Sequence, residues 1–453
     1  MNLYQDVFFR GLDRLRQRRN IDRLQQLRAS QFWSAQRIQE RQLELLNELL
    51  RVAREHSPYH RERLATLRLP LRSLEELVIV PPLRKREIRE HREAIRTVHL
   101  PGDRYGLAHT GGSTGEPTYF YLDRQGRDWN RASVYRSAEW AGTALGRRAI
   151  DVSGSVYDRR KASTIRKRLA DLVLRHRHFS LVAPGEAEFE SLRRMVHRFK
   201  PHSMWGYTSG IVGLAEYMES SGRTDAFPSL AALVTSSETL LPHHRATLER
   251  VFGACRLFDH YGSREMYIAA QCSQRSGYHL HADVVFTEIV DDDGNPCASG
   301  QPGRVLVTDL TNHAFPFIRY EIGDVAALAE DTPCPCGVRL PRLARVEGRI
   351  PDMIKLPDRV ITPPNIATPL AETPGVRAFQ VRHEQPDEIR VLIEADAAFD
   401  QTARRHVRRL MERLVAGQAR VEIVTDEPIE VPASGKRRFV VSNVADRDSE
   451  RAA

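Results

Sequence analysis

At 453 residues and 41% hydrophobic content, the chain is long enough to bury a sizeable core and to divide into two or three domains, which excludes a disordered tail or a small disulfide-stapled scaffold. A formal charge of +9 favours anionic partners such as nucleotides, acidic lipids or nucleic acid, but no basic motif interleaved with aromatics marks an RNA or DNA surface. Five cysteines, no charged-plus-apolar leader and no apolar run of spanning length lead to the expectation of a cytoplasmic protein with reduced thiols and no membrane span.

Residues 3–65 lack proline until Pro58 and space Leu43, Leu46, Leu49 and Leu50 for one helical face. This predicts an arginine-rich helical lead-in whose apolar stripe packs on a core, with a partner or membrane-surface role as the rival use of the same stripe. Ser57-Pro58 then breaks the helix. From 68 to 107 short helices alternate with proline-bearing turns.

The run His109-Thr110-Gly111-Gly112-Ser113-Thr114-Gly115-Glu116-Pro117-Thr118 follows, between strand-like stretches at 105–108 and 119–122 that predict a hairpin around it. Glycine lets the backbone approach a ligand closely, and the hydroxyls of Thr110, Ser113 and Thr114 can converge with freed N–H groups on one anion. No Lys-Ser or Lys-Thr pair follows Gly115 and the G-x-G-x-x-G spacing is missing, so the two commonest nucleotide loops are excluded. Taken alone, the run reads equally well as an ordinary turn.

Mixed α/β patterning occupies the next stretch: helices near 129–143, 186–199 and 209–220, and strands at 149–152 and 230–235. Open α/β sheets bind ligands at the carboxyl ends of their strands. Ser237 and Glu238, and Tyr135, Trp205 and Tyr207, are therefore pocket candidates. Strands at 284–290 and 303–309 flank Asp291-Asp292-Asp293-Gly294-Asn295, which is turn chemistry without a complete calcium-loop spacing. After Arg349 the pattern becomes a small α+β unit of strands near 376–394, a helix near 399–415 and a strand at 420–424. The expected divisions are a helical lead-in at 1–66, a large domain at 67–350 and a small domain at 351–453.

Five ordered pieces together resemble the adenylate-forming superfamily of acyl- and aryl-CoA ligases, luciferases and adenylation domains, on the branch of phenylacetate-CoA ligases and CapK-like proteins. The pieces are 110–118, similar to T/S-S/G-G-T-T-G-K-P; Tyr261-Gly262-Ser263-Arg264-Glu265, similar to Y-G-x-T-E; and Tyr320-Glu321-Ile322-Gly323-Asp324, similar to Y-x-x-G-D. Gly348 to Lys355, similar to G-R-x-x-D-x-I-K, and Gly435-Lys436 complete the set. The resemblance implies an α/β fold with a large multi-subdomain N-terminal domain and a small mobile α+β C-terminal lid.

It also implies activation of a carboxylic acid, expected to be aromatic, as its adenylate with release of pyrophosphate, then transfer to CoA. In that chemistry Thr110, Gly111, Gly112, Ser113, Thr114 and Gly115 hold ATP phosphates, and Glu265 holds Mg²⁺. Ser237, Glu238, His260, Tyr261, Gly262 and Ser263 line the nucleotide, and Asp324 accepts from the ribose with Arg349 beside it. Lys436 bridges carboxylate and α-phosphate as a point charge, and Arg264 adds a cation near the α-phosphate. Taken singly, Asp324 and Glu265 would be ordinary surface acids; their joint order decides otherwise.

Four departures from the family pattern shape further expectations. Glu116 stands where many members carry lysine, so Arg124, Arg264 or Lys436 is expected to compensate. Arg264 replaces a threonine. Pro351 occupies the hinge position, so rotation is expected at ψ or at Asp352. The run Leu356 to Pro364 lacks the glycine-bearing loop that admits CoA, which keeps open an amine or another acceptor, and AMP activation of another oxyacid. A basic, catalytically degenerate scaffold or nucleic-acid binder is the rival of another class.

Cys272, His279, Cys334 and Cys336 could form a closed structural zinc set, with His281 as the alternative imidazole; buried small hydrophobes are the rival reading of these cysteines. A homodimer is also left open.

Overall fold

The computed structural model describes residues 3–98, 100–101, 104–109, 118–153, 171, 174–181, 184–223, 227–253, 256–429, 438–442 and 444. The expected phosphate-loop residues Thr110 to Gly115, with Glu116, and the Gly435-Lys436 pair lie outside the described residues.

Four helices come first: α1 (Leu3–Leu15), α2 (Asn20–Ser30), α3 (Ala35–His56) and α4 (Pro58–Arg63). Ser34 caps α3 by accepting from the Arg37 N–H, and its apolar face is regular enough to bury Leu46, Leu49, Leu50 and Ala53 completely. They pack on Leu77, Leu310 and Ile318. At about 1.5–3 kcal/mol per buried leucine, this stripe is committed to folding, which settles its use against a membrane or partner surface. The break at Pro58 is a restart: Ser57 ends α3 and its hydroxyl caps α4, with proline at the position where its missing N–H costs nothing.

Helix α5 (Lys85–Ile95) leads to the antiparallel strands β1 (Tyr105–His109) and β2 (Tyr119–Asp123), which pair His109 with Tyr119 and so form the hairpin expected around the glycine run. Helix α6 (Arg124–Trp140) starts five residues earlier than its apolar pattern suggests, because the Asp123 carboxylate caps it by accepting from the Gly126 N–H. Then come β3 (Ala149–Ser153), β4 (His176–Ser180), α7 (Glu186–Phe199), β5 (Ser203–Tyr207), α8 (Thr208–Ser220), β6 (Ala232–Ser236), α9 (Pro242–Phe252) and β7 (Arg256–Gly262). All five of these strands run parallel.

Strands β8 (Tyr267–Ala270), β9 (Tyr278–Leu280), β10 (Val285–Val290), β11 (Pro302–Asp309), β12 (Tyr320–Leu328) and β13 (Arg342–Arg349) continue the same sheet in antiparallel fashion. Its order is β10-β11-β12-β13-β9-β8-β7-β6-β5-β3-β4, eleven strands among the described residues. The Asp291 side chain accepts from the Asn295 N–H and Gly294 takes φ +88°, so the acidic run between β10 and β11 is a turn, as expected.

A short 3-10 turn, Ile350–Asp352, joins this body to the rest. Beyond it lie the hairpin of β14 (Ile354–Leu356) and β15 (Arg359–Ile361), α10 (Pro363–Ala371), β16 (Val376–Gln385), β17 (Glu388–Ala395), α11 (Gln401–Val415), β18 (Arg420–Val424) and β19 (Val440–Ser442). Four of these strands make a second sheet in the order β18-β17-β16-β19. Its core of Val381, Val391, Val407 and Met411 also takes in Leu241, which precedes α9, so the small sheet is docked on the large body. No helix of the described residues is long and apolar enough to cross a membrane.

Candidate active site

The parallel strands end where loops can gather, and the carboxyl ends of β5, β6 and β7 open into a cleft of about 1140 Å³, counting space open to solvent. Ser237, Glu238, His260, Tyr261, Gly262, Asp324 and Arg349 all line it, so seven of the residues singled out in sequence meet at one place.

Their geometry explains why. Asp324 on β12 and Arg349 on β13 are register partners, and the Arg349 Nε stands 3.6 Å from the Asp324 Oδ1. The Tyr261 hydroxyl donates to the other oxygen at 3.0 Å. Burial, then the Asp324 charge, pushes the Tyr261 phenol well above its ordinary value, so it stays a donor. Ser237 holds φ +70°, a left-handed conformation uncommon for a residue with a Cβ, at the strand end facing the cleft. A Cβ on Gly262 would stand 3.0 Å from the Met266 carbonyl oxygen, so the turn into Glu265 closes tightly there.

Glu265 is 3% exposed. The Tyr320 hydroxyl donates to its Oε1 at 3.0 Å, while Oε2 is buried with no hydrogen-bond partner among the described residues. A buried carboxylate oxygen without a donor is costly, and a hard cation is the partner such an oxygen suits. Ser263 keeps its N–H on the Met266 carbonyl at 2.9 Å. Arg264 is exposed and, like Ser263 and Glu265, is not among the residues that line the cleft itself. Arg124 reaches Gln17 at 2.9 Å. Two cations of α5 reach this region: the Arg89 Nε donates to the Thr118 Oγ1 at 3.3 Å, beside β2, and the half-buried Lys85 Nζ donates to the Ile322 carbonyl at 2.9 Å, two residues before Asp324. Periodicity gave no sign of either.

The candidate acid-pocket aromatics Tyr135, Trp205 and Tyr207 do not line the cleft. Trp205 instead packs edge-on against His260 at 6.0 Å, behind the cleft wall, with Ala141, Val234 and Phe258. His260 is held neutral, its value lowered to about 4 by burial, and its Nε2 has no partner among the described residues. The Glu238 carboxylate is held at the cleft wall, accepting from the Ser209 N–H at 2.7 Å and the Ser209 hydroxyl at 3.1 Å, at the amino end of α8.

Residues missed in sequence come mostly from the far end of the chain. The Arg438 Nε donates to the Asp352 Oδ1 at 2.7 Å, and both line the cleft. Phe439 stacks near His244 at 5.5 Å. These contacts hold β19 beside the hinge turn. The pair is half-buried, each side chain being about one-fifth exposed, and it ties the small sheet to the hinge turn.

Apart from the cleft, Cys272, His279, Cys334 and Cys336 bring four ligand atoms within 4.8 Å of one another. The Cys272 and Cys334 sulfurs lie 3.7 Å apart and the Cys336 sulfur lies 3.3 Å from the His279 Nε2. A tetrahedron with zinc–sulfur bonds of about 2.3 Å has an edge of about 3.8 Å, so the set fits that ion. The His279 Nδ1 faces the Leu340 carbonyl at 3.2 Å, fixing the ring so that Nε2 points to the thiols. His281 is excluded as a ligand: its nitrogens face Arg136 at 2.7 Å and Ser137 at 3.2 Å.

No family model matches the chain. It is 25% identical over 352 residues to a phenylacetate-coenzyme A ligase of Thermus thermophilus, covering 74% of this chain and 75% of the relative. Protein CapK of Staphylococcus aureus is 21% identical over 345 residues, 74% of each chain. Among solved structures, 2-hydroxyisobutyryl-CoA ligase in its postadenylation state with an acyl-AMP matches with a TM-score of 0.73, 21% identity and 94% of both chains. The same enzyme in its thioesterification state matches with a TM-score of 0.59 over the same share. Ordered motifs, their convergence on one cleft and these likenesses agree: the chain resembles the adenylate-forming superfamily, on its phenylacetate-CoA ligase and CapK-like branch, and the likenesses support an enzyme of that kind.

Proposed function

We propose that the chain activates a carboxylic acid, an aromatic one, as its acyl-adenylate with release of pyrophosphate, and passes the acyl group to CoA. The observation that carries this reading is the Asp324, Arg349 and Tyr261 constellation opening onto the same cleft as the Glu265 turn. Asp324 accepts both ribose hydroxyl protons, while Arg349 steadies its carboxylate and donates to the sugar. The loop of Thr110, Gly111, Gly112, Ser113, Thr114 and Gly115 holds the β- and γ-phosphates, with Lys85 and Arg89 offsetting the cation that Glu116 removes. Magnesium, when bound, neutralises phosphate charge as the α-phosphorus is attacked. Glu265 holds it through the oxygen that lacks a protein donor. Ser237, His260, Gly262 and Ser263 wall the nucleotide, and Lys436 reaches the α-phosphate.

Residues 351–453 act as the lid, with 1–66 as the helical lead-in and 67–350 as the adenylating body. The higher structural likeness to a postadenylation state, together with Arg438 and Phe439 at the cleft, supports an adenylating pose. Rotation away from it uses Asp352 and ψ of Pro351 and breaks the Asp352–Arg438 pair.

The test is acid-dependent ATP–pyrophosphate exchange across aromatic and aliphatic acids. Exchange strongest with an aromatic acid is expected; no exchange with any acid, alongside salt-sensitive nucleic-acid binding, overturns the reading in favour of a degenerate scaffold. A second reading of the transfer step has one observation behind it. The stretch after Lys355 is a tight hairpin with Leu356 opposite Arg359, and Asp358 is tied to Gln418, so no glycine-bearing loop follows the hinge. That is the feature behind an amine acceptor as the alternative to CoA, and product mass spectrometry with CoA and with amines separates them.

The Cys272, His279, Cys334 and Cys336 set is proposed to hold one structural Zn²⁺ that pins the β8–β9 connection to the segment before β13. Cys336→Ser is expected to lose most of that equivalent and to lower the melting temperature by several degrees. A metal-free wild type of equal stability sinks the zinc assignment.

A further inference from the structure

A second group of metal-type side chains lies at the opposite end of the large sheet. Strand β4 is its edge, and the period of two along a strand places His176 and His178 on one face. The parallel register sets His178 directly against Asp151 of β3, and sets Asp151 against Trp205 of β5 on its other side. Three potential ligands therefore share a face because of strand pairing, not because of a flexible loop.

The three side chains touch one another, each ring using both of its nitrogens. His176 Nε2 lies 3.2 Å from Asp151 Oδ1, His178 Nδ1 lies 3.6 Å from Asp151 Oδ2, and His176 Nδ1 lies 3.3 Å from His178 Nε2. One ligand atom from each of Asp151, His176 and His178 can be chosen so that all lie within 4.8 Å. Asp171 Oδ1 stands 3.5 Å from His178 Nε2 as a further oxygen. Bonds of about 2.0–2.2 Å to a four-coordinate ion give ligand edges of about 3.3–3.6 Å. All four residues are partly shielded from solvent, with side-chain exposures between 20% and 41%.

Without an ion the three contacts take three hydrogens, so one ring must carry a second proton while the other stays neutral. A divalent ion offers the other arrangement, taking one nitrogen of each ring and one carboxylate oxygen. Imidazole with carboxylate, without thiolate, suits a borderline divalent transition metal over calcium or magnesium.

We propose that Asp151, His176 and His178 form a second metal site, for a divalent transition-metal cation of the zinc class. The ion ties the edge strand to β3, and through the Asp151–Trp205 register to the strand behind the cleft wall. This site is separate from the Cys3His set and is independent of which acid or acceptor the enzyme uses.

The full chain is stripped with a chelator, dialysed against micromolar Zn²⁺, and its metal counted by elemental analysis. His176→Gln/His178→Gln is expected to bind one equivalent fewer than the wild type, whatever the thiolate set holds, while circular dichroism stays unchanged. Equal metal content in a folded double variant overturns the proposal. Asp151→Asn is the gentler second variant, expected to weaken Co²⁺ binding in a Cys272→Ser/Cys336→Ser background about 10- to 100-fold. Undiminished Co²⁺ affinity there, or no Co²⁺ bound in that background at all, also overturns it.

Discussion

Lys436→Ala is expected to cut acid-dependent ATP–pyrophosphate exchange by about 100- to 1000-fold, the scale on which losing one group aimed at developing transition-state charge is felt. Lys436 lies outside the described residues, but Arg438 lines the cleft, and two residues of chain span at most about 7 Å. A point charge on a flexible stem can meet the substrate carboxylate and the α-phosphate oxygens together, which no backbone donor on the sheet can do. A lysine kept for chemistry can be lost without unfolding the chain, so the melting temperature is expected to stay within about 1–2 °C of wild type. Exchange at the wild-type rate removes Lys436 from the chemistry; a large drop in melting temperature assigns it to folding. Arg438→Ala should act differently, because its carboxylate partner is Asp352. It loosens the docked pose and leaves Asp352 half-buried without its cation, and should lower exchange less than Lys436→Ala.

Legibility in the sequence followed the range over which each feature is decided. The α3 stripe was readable because helix period and burial are local, and Leu46, Leu49 and Leu50 are buried as that period requires. Asp324, Arg349 and Tyr261 were readable because each sits in a short motif with neighbours of fixed type. The start of α6 was missed because its signal is a cap, Asp123 on the Gly126 N–H, not an apolar repeat. Lys85 and Arg89 look like any surface cations on a basic helix, and the stacking of α5 against the hairpin alone brings them to the site. Trp205 failed as a cleft residue for a related reason: alternation along β5 is visible in sequence, but which face carries the ligand depends on where β6, β7 and β12 lie. The Asp352–Arg438 pair joins residues 86 apart, so neither residue's surroundings in sequence announce it.

Glu265→Gln separates a metal-holding carboxylate from a structural one more sharply than any other substitution in the cleft. The Tyr320 hydroxyl donates to Oε1, and glutamine offers an acceptor oxygen in the same place, so that contact can persist. What disappears is the charge, and with it the buried Oε2 that has no donor among the described residues. Lys85 and Arg349 already face this carboxylate, and the amide that replaces Oε2 is as buried as the oxygen was, so the melting temperature is expected to hold within a few degrees. Adenylation should fall about 100-fold or more, and the Mg²⁺ concentration for half-maximal rate should rise, because one carboxylate with substrate phosphates supplies much of such a site. An unchanged melting temperature paired with a loss of turnover is the signature of a group kept for chemistry. If Glu265 were a structural acid, the same change would lower the melting temperature while leaving the Mg²⁺ dependence alone. Measuring both on one preparation therefore decides its role, and an unchanged Mg²⁺ requirement takes the ion away from Glu265.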